Sequence, residues 1–256
     1  MRTKNQFSLL FVTVLILLLT SCGDDDGHSL GKFVGRIATV KIESGASYIL
    51  TDDNKTLTPI AGYFPWTQLL DGDRIAINYT VLYDDFYGYD EAIKVNSYYP
   101  VLTKPVEVLN TEEENLAFGD DVVWILDLWV GGGYLNVMYG CPVPISTPHR
   151  ISLVENKLNL ESSEGEDDYI HLEYRYNANG DIAETGEQNL IRSFVSFNLN
   201  SVTIPEGCKG FKIRINSAKN GIKTLTYELG DSNDQKGVNL LQQREVIDSS
   251  IAYSTL

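Results

Sequence analysis

The sequence is poor in the side chains that carry out most protein chemistry. Histidine occurs three times in 256 residues, as His28, His149 and His171, and none has a partner at ligand spacing such as H-E-x-x-H. Cysteine also occurs three times, and Cys141 and Cys208 have no activating histidine next to them in the sequence. No serine stands in a G-x-S-x-G elbow. The expectation is a protein that is not an enzyme and holds neither cofactor nor metal. Positive charge is scarce as well: 20 Lys and Arg stand against 35 Asp and Glu, a formal charge of −15. Nucleic-acid binders depend on Lys and Arg to displace counterions, so a nucleic-acid partner is excluded. Electrostatic adhesion to an anionic membrane surface is disfavoured for the same reason. With 43% hydrophobic residues, the chain can still build real cores, and its length suits one large or two modest domains.

A long hydrophobic run is also missing. Phe7 to Leu19 is almost unbrokenly apolar, but a stable span of the hydrocarbon core takes ~20 residues. Preceded by Arg2 and Lys4 and followed by Thr20 and Ser21, the run has the form of a cleaved secretory signal peptide, residues 1–21. Leu19-Thr20-Ser21-Cys22 resembles the bacterial lipobox, which makes Cys22 the acylated first residue of the mature chain. Two or three acyl chains, at ~0.8 kcal/mol per buried CH₂, anchor a protein firmly. Without the signal, 18 basic residues face 35 acidic ones and the charge becomes −17. Gly23 follows the cysteine, so the usual inner-membrane retention aspartate is absent. Asp24, Asp25 and Asp26 resemble the acidic export signal of Bacteroidota surface lipoproteins. The expected location is the outer membrane, lipid-anchored and exposed at the cell surface. The alternative is a periplasm-facing anchor whose aspartates are a solvated tether, residues 22–31.

Beyond the tether the pattern is all-β. Phe33 to Ile42, Tyr48 to Leu50, Leu57 to Ile60, Ile75 to Leu82 and Ala92 to Val95 read as strands, with turns at Asp52-Asp53-Asn54-Lys55 and Asp71-Gly72-Asp73. About five strands of this kind fit a small OB-like Greek-key barrel, placed at 32–109. Pro100 and Pro105 mark an extended edge or linker. Thr111 to Leu116 is the one helical turn, with Thr111 as N-cap and glutamates in the first turn. From 110 to 256 the strands resume: Val122 to Val130 reads as buried, then Tyr134 to Tyr139, Ile151 to Val154, Tyr169 to Tyr176, Phe194 to Leu199, Lys209 to Ile215 and Lys223 to Leu229. Their spacing predicts an immunoglobulin-like β-sandwich of about seven strands, followed by a tail in which Leu240 to Ile247 forms a short helix or an ordered segment.

Several motifs are specific when taken in order. Asn78-Tyr79-Thr80-Val81-Leu82, Tyr99-Pro100-Val101-Leu102-Thr103-Lys104 and Ile125-Leu126-Asp127-Leu128-Trp129-Val130-Gly131-Gly132 with Tyr134 to Val137 resemble segments of the NigD-like lipoproteins. So do Pro148-His149 with Ile151 to Val154, Leu172 to Asp181, and Val195 to Leu199. The resemblance implies an N-terminal OB-like domain and a C-terminal β-sandwich. It also implies a role such as bacteriocin immunity, through the locus that gives the family its name. It supplies no catalytic residues.

Few residues suggest a site. Tyr83, Phe86, Tyr87 and Tyr89 cluster in one hairpin. Trp66, Tyr87 and Tyr89 are the candidate rings for stacking on a glycan; alternatively the aromatics only fill cores. Cys141 and Cys208 could form a disulfide in an oxidising compartment, or remain buried thiols. Glu164 to Asp168 and Asp231 to Asp234 lack the full EF-hand pattern and read as solvated loops. Gly131-Gly132-Gly133 joins two strands and reads as a bend, since no helix follows to hold a phosphate. The expected partners are the membrane, through the lipid on Cys22, and a protein or envelope component, with a glycan as the alternative.

Overall fold

A computed structural model of the chain describes residues 31–158, 167–181, 189–230 and 244–245. The expected signal peptide (residues 1–21), Cys22, Asp24 to Asp26 and His28 lie outside the described residues, as does most of the tail. No helix among the described residues is long and apolar enough to cross a membrane.

The first domain is a closed five-stranded barrel of β1 (Val34–Glu43), β2 (Ala46–Thr51), β3 (Thr56–Ala61), β4 (Arg74–Phe86) and β5 (Tyr89–Pro100). Its order is β1-β2-β3-β5-β4, and β4 returns to pair with β1. Alternation dictates the interior, since successive side chains of a strand point to opposite faces. Ala38 and Val40, Ile75, Ile77 and Tyr79, and Ile93 and Val95 all turn inward, and Ile49 and Leu57 complete the core. The acidic turn before β4 is built by its own side chains. Gly72 takes φ +88°, Asp73 Oδ2 accepts the Leu70 amide at 2.7 Å, and Asp71 Oδ1 accepts the Ile42 amide at 2.9 Å.

The second domain is a sandwich of two five-stranded sheets. One has the order β14-β13-β11-β10-β7 and the other β15-β8-β9-β12-β6. In chain order these strands are β6 (Leu102–Pro105), β7 (Glu107–Leu109), β8 (Trp124–Gly131), β9 (Tyr134–Pro142), β10 (Arg150–Asn156), β11 (Tyr169–Asn177), β12 (Leu190–Asn198), β13 (Gly210–Ser217), β14 (Gly221–Glu228) and β15 (Arg244–Glu245). The expected sandwich is therefore present, with mixed sheets and more strands than the seven anticipated. Three short or late pairings are parallel: β6 with β12, β7 with β10, and β11 with β13. Leu135, Val137, Leu153, Leu172, Tyr174, Phe197, Phe211 and Ile213 fill the space between the sheets.

The domain boundary needs a correction. Residues 102–109, assigned from the sequence to the barrel side, pair with the sandwich instead. Val106 carries the chain from the edge of one sheet to the edge of the other, so the barrel ends at Pro100. Pro100 and Pro105 keep this segment extended, and edge positions are where strand prolines are tolerated.

Helix α1 (Glu112–Phe118) has the expected cap. Thr111 Oγ1 accepts the Glu114 amide at 3.2 Å, and Glu114 Oε2 accepts the Thr111 amide at 3.2 Å, a reciprocal capping box. Gly119, at φ +67°, closes the helix through its amide on Asn115 O. In the tail, Arg244 and Glu245 form a two-residue strand against β8; the rest of the Leu240 to Ile247 segment lies outside the described residues.

Candidate functional site

Three arrangements of polar or aromatic side chains stand out. The first joins the two domains. Arg74, at the start of β4, has a side chain with no exposure at all, and it donates to both Asp52 oxygens at 2.6 and 3.0 Å. Its guanidinium also reaches Thr39 Oγ1 at 2.9 Å and, across the domain boundary, Asn136 Oδ1 at 2.8 Å. Asn136 Nδ2 and Trp129 Nε1 donate back to Asp52 Oδ2 at 3.0 and 3.3 Å, and Ser196 Oγ donates to Asn136 Oδ1. The Tyr134 ring lies 4.4 Å from the guanidinium carbon.

The triple glycine is part of this joint. Gly132 and Gly133, at φ +58° and +81°, form the two-residue turn between β8 and β9, where left-handed residues suit the strand twist. Gly131 has no such backbone need. A Cβ there would sit 2.7 Å from the Asp52 Cβ, so its bareness admits the barrel's aspartate. From the sequence, Asp52 reads as a turn residue and the glycines as a bend, and Arg74 does not stand out. The available signal was a third glycine where the turn requires two. Apart from Arg74 Nε, which is buried without a hydrogen-bond partner, the side chains of this network bond one another, which fixes the domains together and leaves little capacity for a ligand.

The second arrangement is a chain inside the sandwich. His149 Nε2 lies 3.1 Å from Asp181 Oδ2, and its Nδ1 lies 2.5 Å from the Tyr176 hydroxyl, which is 3.3 Å from Cys141 Sγ. Asp181 also accepts the Ser146 hydroxyl and the Ser146 and Thr147 amides, at 2.7 and 3.0 Å for the amides. These bonds, the Ser146 hydroxyl foremost and His149 among the lesser, hold the carboxyl well below the usual carboxylate range. An aspartate aligned on a histidine resembles the base of a nucleophile, but the chain ends on a thiol that burial pushes up. A nucleophilic cysteine needs the thiolate. The arrangement pins the segment between β9 and β10 to the turn after β11.

No disulfide forms. Cys141 and Cys208 are both free thiols. Cys141 lies on β9 beside Tyr176, while Cys208 precedes β13 of the opposite sheet and bonds its own loop at Gly210 O. The acidic loop also finds cationic neighbours: Asp167 meets His171 at 2.9 Å and Lys212, and Asp168 meets Lys209 at 2.7 Å. Residues 164–166 and Asp231 to Asp234 lie outside the described residues. Among the described residues no cluster of His, Cys, Asp and Glu has the makings of a metal site.

The third arrangement is the tip of the β4–β5 hairpin. Tyr83 and Phe86 stack with centroids 5.7 Å apart, and Tyr87 meets Phe86 edge-on at 4.7 Å. Tyr87 is 87% exposed and Tyr83 57%. The candidate trio of Trp66, Tyr87 and Tyr89 is not brought together. Trp66 packs on Phe64 and against the barrel core, and Phe64 lies on Tyr98. Tyr98 is nine residues from Tyr89, about 30 Å along β5 at ~3.3 Å per residue. Tyr89 itself turns to Tyr48, at 6.0 Å. Tyr87 therefore has other aromatic neighbours than those expected: the half-buried Phe86 directly, and through it the exposed Tyr83.

The architecture defines a class: an OB barrel held to a mixed β-sandwich by a buried ionic joint. The NigD-like N-terminal OB domain matches residues 37–101, and the NigD-like C-terminal beta sandwich domain matches residues 104–229. The chain belongs to the NigD-like family. Among solved structures, a protein of unknown function from Bacteroides vulgatus is 28% identical with a TM-score of 0.67, covering 79% of this chain and 93% of that one. A candidate toxin-related protein from Parabacteroides distasonis is 26% identical with a TM-score of 0.62, covering 78% and 95%. A NigD-like immunity protein from Bacteroides caccae is 17% identical with a TM-score of 0.50, covering 77% and 93%. No curated protein shows significant similarity to the chain.

Proposed function

We propose that this NigD-like protein is anchored in the outer membrane through lipid on Cys22, faces the cell surface, and acts without catalysis as a binding module for a protein or another envelope component. The observation that carries the binding role is the β4–β5 tip. Asp85 and Tyr87 both adopt φ +49°, a left-handed conformation that costs a non-glycine residue of order 1 kcal/mol or more. That cost is spent on projecting a large ring into water, which contributes nothing to the barrel core. The polar networks elsewhere are consumed internally and favour no substrate.

Crosslinking intact cells and recovering the protein should capture a component that is lost when Tyr83 and Tyr87 are both replaced by serine. Equal recovery with that variant would refute the tip as the binding surface. Cys22→Ala should move the protein from membranes to soluble fractions, and persistence in membranes would refute the anchor. Replacing Asp24 to Asp26 with alanine should reduce protease access on whole cells without loss of lipidation; unchanged access would refute surface export.

A second reading is glycan capture by the same tip, favoured only by the exposed rings of Tyr83 and Tyr87. A role in immunity has its support in the family name and in the name of the Bacteroides caccae protein, whose likeness at 17% identity carries the fold alone.

A further inference from the structure

The aromatic tip is also the most acidic part of the barrel. Asp84 and Asp85 lie between Tyr83 and Phe86 in the chain, and both are exposed. Across the hairpin Asp84 faces Glu91, with Asp90 next to it, and like charges placed opposite one another repel. Lys55 is drawn into this group, with Nζ 2.5 Å from Glu91 Oε1. Glu91, Asp53 and Asp84 together hold the lysine charged, the bond to Glu91 foremost. One oxygen of Glu91, Oε2, is buried with no hydrogen-bond partner. Asp53, Asp84, Asp90 and Glu91 thus act on the Lys55 ammonium, with Asp85 next to Asp84 in the chain, and the balance of these groups is negative.

The rings and the charges favour the same ligand. A guanidinium or ammonium gains from lying over an exposed tyrosine face, and it gains again from carboxylates beside that face. Tyr87 is 87% exposed, so its ring is open to water apart from its contact with Phe86. A phosphate backbone would meet repulsion from the same carboxylates. A neutral glycan would use the rings and gain nothing from the excess charge.

We propose that the β4–β5 tip docks a basic segment of a partner protein, with an Arg or Lys of that segment lying over Tyr87 or Tyr83 and pairing with Asp84 and Asp85. This rests on the binding role proposed above and names the chemistry of the partner. Docking of this kind is steered by charge, so its association rate falls with salt.

The test uses the whole mature chain and synthetic peptides of one length, bearing either alternating Arg and Ser or alternating Glu and Ser, with cellohexaose and maltohexaose as glycan probes. Calorimetry should show binding of the Arg peptide only, weakened several-fold between 50 and 300 mM salt. Tyr87→Gly removes the ring and suits the left-handed backbone, so a loss of binding cannot come from unfolding. It should weaken the Arg peptide by about fivefold, the scale of a cation–π contact. Asp84→Asn with Asp85→Asn should weaken it further and flatten the salt dependence. Tyr99→Ala serves as control, being exposed at the far end of β5, and should change nothing. Arg-peptide binding that ignores the tip variants overturns the proposal, as does binding of a hexaose or the Glu peptide in its place. If no basic peptide binds while crosslinked capture on cells still depends on Tyr83 and Tyr87, the basic-segment proposal falls and the binding role stands. If both fail, both fall.

Discussion

Replacing Arg74 by methionine tests whether one ionic group holds the two domains together. The substitution keeps a long apolar stem and removes four charge-assisted donations, to Asp52 twice, Thr39 and Asn136. Asp52, whose side chain is 12% exposed, then loses its guanidinium partner and keeps the donations of Asn136 and Trp129. Removing one member of a buried pair costs ~3–5 kcal/mol, chiefly because a charge is left without its partner. Water reaches the edge of Asp52 and the methionine stem keeps some buried area, so about 2–4 kcal/mol is expected. At ~2–4 °C per kcal/mol for a chain of this size, the melting midpoint should fall by about 5–15 °C. Because the joint spans both domains, its loss should also split a single urea transition into two. The double variant Arg74→Met with Asp52→Ala leaves neither charge stranded, so the two single effects should exceed the double by more than about 1 kcal/mol. Lys209→Ala, which breaks the exposed pair with Asp168, sets the scale of a surface bridge, which water and salt keep small. An Arg74→Met loss no larger than that of Lys209→Ala, or single effects that add to the double, would refute the joint.

Gly132→Ala should destabilise by ~1–3 kcal/mol, because its Cβ would lie 2.7 Å from Asp52 Oδ1 on a backbone at φ +58°; a neutral result in urea unfolding would mean that the hairpin moves away freely. Tyr174→Phe should be neutral or stabilising by up to about 1 kcal/mol, since the Tyr174 hydroxyl is buried without a hydrogen-bond partner, and a loss above about 1 kcal/mol would contradict that. The depressed carboxyl of Asp181 contributes stability that is full above the unfolded value of ~3.9 and is lost as pH falls through its lower folded value. Asp181→Asn should therefore lower urea midpoints at pH 5 and lose less than the wild type between pH 4 and pH 2, and parallel curves would count against it.

The strand pattern, the capping box at Thr111 and Glu114 and the tight acidic turn before β4 were legible because each depends on neighbours a few residues away. The barrel interior followed from period-two alternation in β1, β4 and β5. The aromatic hairpin was legible as a cluster, but which rings share it was not. Trp66 and Tyr89 were grouped with Tyr87 by residue type, and the path of β5 separates Trp66 from them. The boundary was placed too late because Leu102 to Leu109 has no local signal for which domain it completes; only the available edges of β12 and β10 decide that.

The amino-acid sequence by itself determined that the chain is all-β, that it makes a barrel and then a sandwich, and that it carries a lipobox-like cysteine at position 22. Only the tertiary structure decided how the two domains are held. Arg74 meets Asn136 from 62 positions away and Asn136 meets Asp52 from 84, and no local pattern encodes such pairings. Periodicity and turn chemistry are properties of adjacent residues. A buried ion pair exists only where folding brings distant charges together and removes their water.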